Sequence, residues 1–273
     1  MKLLFDTGIY IHAEFGMYVN EKRTLPWGET TQTMDILRIM RKPLHRDPSE
    51  QRERDSLFTI GRLLRQGKIN AYDYDELFFE RWRSTSGKVV NALKGCKASS
   101  CEPALRRTKF RNSIHFDEIV RKGGKKDLRT GGEPSNFTQI AFMKWLIGLT
   151  ENEVQLCIEH AKAIGLTEFE TESLRQLGWF KIMCARSGSA ENYVDVFHLW
   201  TAERNGFDLL TLDRKIKRLS ERVRAEKSQP IKINARVFQP SDLLREMSVQ
   251  NPDPVPIEPN RFYPFGSFDE LAS

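Results

Sequence analysis

Two short apolar runs that each end in aspartate decide the fold: residues 2–6 (KLLFD) and residues 207–213 (FDLLTLD). A short apolar run bounded by a turn signal is typical of a strand buried in a parallel sheet. With helical periodicity between the runs, the pattern predicts an α/β fold, a doubly wound parallel sheet flanked by helices. Because the carboxyl ends of parallel strands meet at one edge of such a sheet, we expect Asp6 and Asp213 to point into the same crevice.

A third aspartate, Asp195, lies on a helical stretch shortly before the second run. Carboxylates held close together raise one another's pKa unless a cation neutralises them. Oxygen ligands without a partnering cysteine or histidine favour Mg²⁺ or Mn²⁺ over zinc. The three aspartates therefore predict a divalent metal site. Taken singly, Asp6 and Asp213 are equally typical of a turn or of a helix N-cap.

Size and composition limit the domain organisation. With 273 residues, 39% of them hydrophobic, one domain with large insertions competes with two domains. We favour one domain over residues 1–250, with an insertion at 84–135 and a proline-rich tail at 251–273. Four irregularly spaced cysteines indicate a reducing cytoplasm, and no run is long enough for a signal-peptide core or a membrane span.

Basic residues are concentrated in two stretches. The net charge is +6, and the stretch from residue 105 to residue 130 holds nine basic residues against three acidic ones. A second basic run directly follows Asp213. A phosphodiester partner needs such cations, although basic runs on helices are as often solvated faces. The expected nucleic-acid contacts are Arg106, Arg107, Lys109, Arg111, Lys122, Lys125, Lys126, Arg214 and Lys215.

Periodicity and capping signals predict the elements that connect these features. Helices are expected over residues 33–41, 55–64, 76–82, 137–149 and 191–205, and strands over residues 68–72 and 236–238. The segment at residues 7–19 begins as a helix and then becomes ambiguous. Thr150 with Glu153 and Thr167 with Glu170 match the capping box that opens a helix.

The order of the acidic residues resembles the PIN-domain nucleases. That family has a strand ending in Asp, a helix carrying Glu, a helix opening with Asp, and a strand followed by a Leu-Leu-Thr-x-Asp turn. The matching segments are residues 3–8 (LLFDTG), 69–77 (INAYDYDEL), 193–203 (YVDVFHLWTAE) and 209–213 (LLTLD). The resemblance makes Glu76 the helix-borne acid, with Asp75 and Asp73 as alternatives.

The resemblance implies a PIN-like fold with a basic insertion and a metal-dependent endoribonuclease, either toxin-like or involved in RNA processing. Asp6, Glu76, Asp195 and Asp213 would then hold one or two Mg²⁺ or Mn²⁺ ions. The alternatives are a PIN-like protein that binds or assembles on nucleic acid without catalysis, and a nuclease that acts on DNA. The expected partners are RNA or single-stranded DNA, and also a protein inhibitor or a second copy of the chain, with no membrane.

Overall fold

The computed structural model describes residues 1–84, 89–111, 135–226, 232–264 and 267–268. Two parts of the predicted basic insertion, residues 85–88 and 112–134, lie outside these ranges. The fold is mixed α/β, and the chain divides into two compact units. Unit 1 comprises Met1–Ser99, Leu210–Leu212 and Phe238–Ser273, and unit 2 comprises Ser100–Leu209 and Asp213–Val237.

The described strands are short apart from one long pair. They are β1 (Lys2–Phe5), β2 (Glu14–Trp27), β3 (Thr30–Arg41), β4 (Asn70–Asp73), β5 (Val89–Asn91), β6 (Ser99–Ser100), β7 (Asp208–Leu210), β8 (Val237–Phe238) and β9 (Phe262–Pro264). Five of them form one sheet in the order β6-β4-β1-β7-β8. β1 and β4 are parallel, with Lys2 opposite Asn70. Leu3, Leu4 and Phe5 are fully buried, which confirms that the first apolar run is an interior strand.

The described helices are α1 (Thr7–His12), α2 (Pro48–Arg65), α3 (Asp75–Ser84), α4 (Arg107–Arg111), α5 (Ser135–Gly148), α6 (Glu151–Glu159), α7 (Ala161–Ile164), α8 (Glu168–Arg175), α9 (Leu177–Ser187), α10 (Tyr193–Asn205), α11 (Arg214–Ala225) and α12 (Pro240–Glu246). Most of the predicted helices are therefore present. No helix in the described ranges combines the length and the apolar character that crossing a membrane requires.

A second, antiparallel sheet replaces one predicted helix. Its strand order is β5-β2-β3-β9, and β2 pairs with β3 over their whole length through a turn at Gly28, which has a φ of 62°. The predicted helix at residues 33–41 is wrong, because these residues form β3. Met34, Ile36 and Met40 lie on one face of the strand and Leu37 and Ile39 on the other, so the apolar residues are spaced as in a helix and do not alternate.

The core of unit 1 joins α2 and α12 to the central strand. Leu57 and Ile60 of α2 and Leu243 of α12 belong to the same buried cluster as Leu3. The proline-rich tail packs on this unit: Asp253 accepts a hydrogen bond from Arg62 Nε at 2.6 Å, and β9 pairs with β3.

Unit 2 contains α4 to α11. Both predicted capping boxes are present at the starts of α6 and α8. α10 ends at Gly206, whose φ of 66° places it in the left-handed conformation that favours glycine. In the buried interior between α9 and α10, Phe180 stacks on Trp200, and Phe197 meets Trp200 edge to face.

Candidate functional site

Asp6 lies at the carboxyl end of β1, where its side chain meets the second apolar run. Thr211 Oγ1 donates a hydrogen bond of 2.8 Å to Asp6 Oδ2, and Asp6 N donates to Leu210 O at 3.0 Å. Asp6 is at the N-cap position of α1, yet its side chain makes no capping hydrogen bond. The two apolar runs therefore lie side by side in the sheet, where β1 is next to β7. The buried Thr211 hydroxyl fixes the orientation of one carboxylate oxygen at the sheet edge.

The second predicted acid lies on α3, which packs against α1. β4 ends at the buried Asp73, and Asp75 and Glu76 occupy the first turn of α3. Glu80 follows Glu76 by four residues and so projects from the same side of the helix. Thr7 Oγ1 donates a 2.7 Å hydrogen bond to Glu80 Oε2.

Glu80 is not among the acids predicted from the sequence. Thr7 is the residue directly after Asp6, so its hydrogen bond ties Glu80 to the turn that carries the first predicted ligand. The spacing of four residues from Glu76 was the available signal. Glu80 therefore joins Glu76, Asp75 and Asp73 as an alternative for the helix-borne acid.

The two remaining aspartates belong to unit 2. Asp195 lies in the first turn of α10 and is half-buried. Asp213 does not end a strand as predicted, because β7 stops at Leu210. Instead Asp213 is the N-cap of α11, and its Oδ1 accepts a 2.6 Å hydrogen bond from Lys215 N. Its position thus matches the N-cap alternative, which satisfies a backbone donor at the helix start.

The four predicted metal ligands all offer carboxylate oxygens. Carboxylate oxygens without thiol or imidazole neighbours suit Mg²⁺ or Mn²⁺. Of the four predicted ligands, Asp6 and Glu76 belong to unit 1, whereas Asp195 and Asp213 belong to unit 2. Among the residues that the structure describes, no group of three or more His, Cys, Asp or Glu side chains is arranged to hold a metal ion.

Asp195 lines a cavity of about 240 Å³ within unit 2 together with basic side chains of α11. Lys215, Arg218 and Arg222 lie three and four residues apart, so they share one face of the helix. Ile216 and Leu219 of α11 are buried and line the same cavity. Arg222 donates a 2.8 Å hydrogen bond to Arg186 O. Three cations around one carboxylate favour an anionic ligand in this cavity.

Two of the predicted nucleic-acid contacts are bound to a buried acid within unit 2. Glu170 is fully buried and pairs with Lys109 Nζ through Oε2, and its Oε1 lies 3.8 Å from Arg106 Nη1. Arg107 begins α4, Arg111 ends it, and Arg214 begins α11. Lys122, Lys125 and Lys126 lie outside the described residues.

Comparisons with protein-family models, with curated proteins and with solved structures gave no match to this chain.

Proposed function

We propose that this chain is a PIN-like, metal-dependent endoribonuclease. The observation that supports the proposal most directly is the 2.8 Å hydrogen bond from Thr211 Oγ1 to Asp6 Oδ2. It connects the two apolar runs at the carboxyl edge of the sheet, which is where open α/β sheets bind their ligands. A buried donor that orients a carboxylate oxygen is the kind of support that metal-ligating side chains receive from their neighbours.

Within unit 1, the residues that would hold the metal are Asp6 and one acid of α3, either Glu76 or Glu80. When bound, Mg²⁺ or Mn²⁺ lowers the pKa of a coordinated water and stabilises charge on a phosphate. Thr211 orients Asp6, and Thr7 orients Glu80. In unit 2, Lys215 and Arg218 would supply positive charge for the phosphates of an RNA substrate.

The test is cleavage of end-labelled RNA and single-stranded DNA by the full chain, with Mn²⁺ and with EDTA. We expect Mn²⁺-dependent cleavage of RNA that leaves a 5′ phosphate. Asp6→Asn should abolish cleavage while the chain stays folded, because the amide oxygen can still accept from Thr211. Asp35→Asn is the matched control, since Asp35 is exposed on β3. Cleavage that survives Asp6→Asn at the wild-type rate would contradict the proposal.

The second candidate is an RNA-binding protein without catalysis. It is favoured by the N-cap hydrogen bond of Asp213, which occupies one oxygen of a proposed metal ligand. The cations around the unit 2 cavity serve binding equally well. This candidate predicts salt-sensitive RNA binding, weakened by Lys215→Ala, and no cleavage with any divalent metal. Fluorescence anisotropy with labelled RNA across a salt series measures the binding.

A further inference from the structure

Unit 1 contains a separate cavity of about 380 Å³, bounded by α1, the start of β2, the end of β3 and α2. Ile11, Phe15, Met17 and Pro43 form the apolar part of the wall, and polar or charged side chains form the remainder. A concave, mostly apolar site with a few converging polar groups is the usual form of a small-molecule pocket. None of these residues belongs to the proposed nuclease site.

Glu14 is the unusual residue of this cavity. Its side chain is only 8% exposed, and its Oε2 accepts a 2.6 Å hydrogen bond from Lys42 Nζ. Its Oε1 is buried and has no hydrogen-bond partner among the described residues. Buried carboxylate oxygens are nearly always hydrogen-bonded, because an unsatisfied one loses its interaction with water. A ligand that donates a hydrogen bond to Oε1 would therefore satisfy this oxygen.

The charged side chains around the cavity favour an anionic ligand. Arg41 is already engaged, since its Nη2 lies 2.7 Å from Asp55 Oδ1. Arg54 lines the cavity, and within the described ranges its side chain makes no hydrogen bond or ion pair. Burial, followed by the charges of Arg54 and Lys42, lowers the pKa of His12, which keeps that imidazole neutral. The cationic side chains of the wall thus outnumber its acids.

We propose that this cavity binds a phosphate monoester, whose P–O–H donates to Glu14 Oε1 while its charged oxygens accept from Arg54. Lys42 binds Oε2 of Glu14, so its ammonium group lies beside the unsatisfied Oε1 of the same carboxylate. One group of the ligand must therefore be compatible with the cation and also donate a hydrogen bond to Oε1. A carboxylate or a sulfate presents only acceptors and is repelled by Oε1. A phosphate monoester has a second pKa of about 6, so its protonated form is available near neutral pH. Phe15 and Met17 contact its organic part.

The test uses phenyl phosphate and phenyl sulfate, which share a shape but differ in the ionisable hydroxyl. By isothermal titration calorimetry at about pH 6, the full wild-type chain should bind phenyl phosphate at least about tenfold more tightly than phenyl sulfate. Glu14→Gln should remove the preference, because an amide can turn its NH₂ toward sulfate. Arg54→Gln should weaken both ligands, whereas Arg23→Gln on the exposed hairpin should change neither.

Equal affinity for the two esters, or no binding of either, would overturn the proposal. So would a preference that persists in a folded Glu14→Gln variant. Phenylalanine is a further probe: tight binding that depends on Arg54 would assign the cavity to an amino acid instead. Since the wild-type ratio of affinities needs no substitution, the proposal stays falsifiable if Glu14→Gln does not fold. RNA cleavage does not enter any of these measurements.

Discussion

Replacing Glu170 with glutamine should destabilise the chain strongly, even though the change removes no volume. Glu170 is fully buried, and both of its oxygens are engaged. Oε1 accepts from Arg106 N at 2.9 Å, and Oε2 accepts from Thr167 N at 2.8 Å and from Lys109 Nζ. A glutamine has one acceptor oxygen, so its NH₂ must face a donor on one side.

The magnitude follows from these contacts. Loss of one hydrogen bond at a buried donor costs about 1–3 kcal/mol. Removing one partner of a buried ion pair costs about 3–5 kcal/mol, and the lower end applies because Lys109 retains 22% side-chain exposure. We expect Glu170→Gln to lower the free energy of unfolding by about 3 kcal/mol, which corresponds to a fall in Tm of about 6–12 °C for a chain of this size.

Urea unfolding and differential scanning calorimetry of the full chain measure the effect. Glu172→Gln is the matched control on α8, because Glu172 pairs with Arg175 at the surface and its loss should move the midpoint little. A Glu170→Gln variant that unfolds at the wild-type urea concentration would refute the reasoning. The result also bears on tests of the proposed function, since substitutions of Lys109 or Arg106 would reduce any RNA binding by unfolding unit 2. Lys215 and Arg218 are cleaner probes of nucleic-acid binding.

Two further predictions concern unit 1. Thr211→Val should lower the free energy of unfolding by about 1.5–3 kcal/mol, because the hydrogen bond to the Asp6 carboxylate is lost. Thr211→Ser should lower it less, and urea titration of the two variants measures the difference. Burial, together with the charges of Arg54 and Lys42, lowers the pKa of His12 below its ordinary value of 6.5. Just below pH 6.5 the unfolded chain therefore binds more protons than the folded chain, so the free energy of unfolding falls as the pH decreases from there. His12→Gln should flatten the loss of stability measured by urea titration between about pH 7.5 and about pH 5.5, and an unchanged slope would contradict the assignment.

Local signals predicted much of the fold because they depend on neighbouring residues. The capping boxes at Thr150 and Thr167 needed only the residue three positions later, and both are present. β3 was mistaken for a helix because the spacing of its apolar residues is helical. Pairing with β2 makes the segment a strand, and that pairing is a tertiary interaction which periodicity does not encode. Glu80 was missed for the same reason, since its contact with Thr7 spans the chain between α1 and α3.

Asp6 and Asp213 look alike in sequence, since each follows a short apolar run, but the structure gives them different surroundings. Asp213 performs the ordinary task of an aspartate at a helix start, with Oδ1 bound to Lys215 N. Asp6 occupies the equivalent position before α1 and does not cap it. Its carboxylate is held instead by the hydroxyl of Thr211, a buried residue of the other apolar run. Capping alone therefore accounts for an aspartate at position 213, whereas at position 6 it does not, and this difference makes Asp6 the stronger candidate for chemistry.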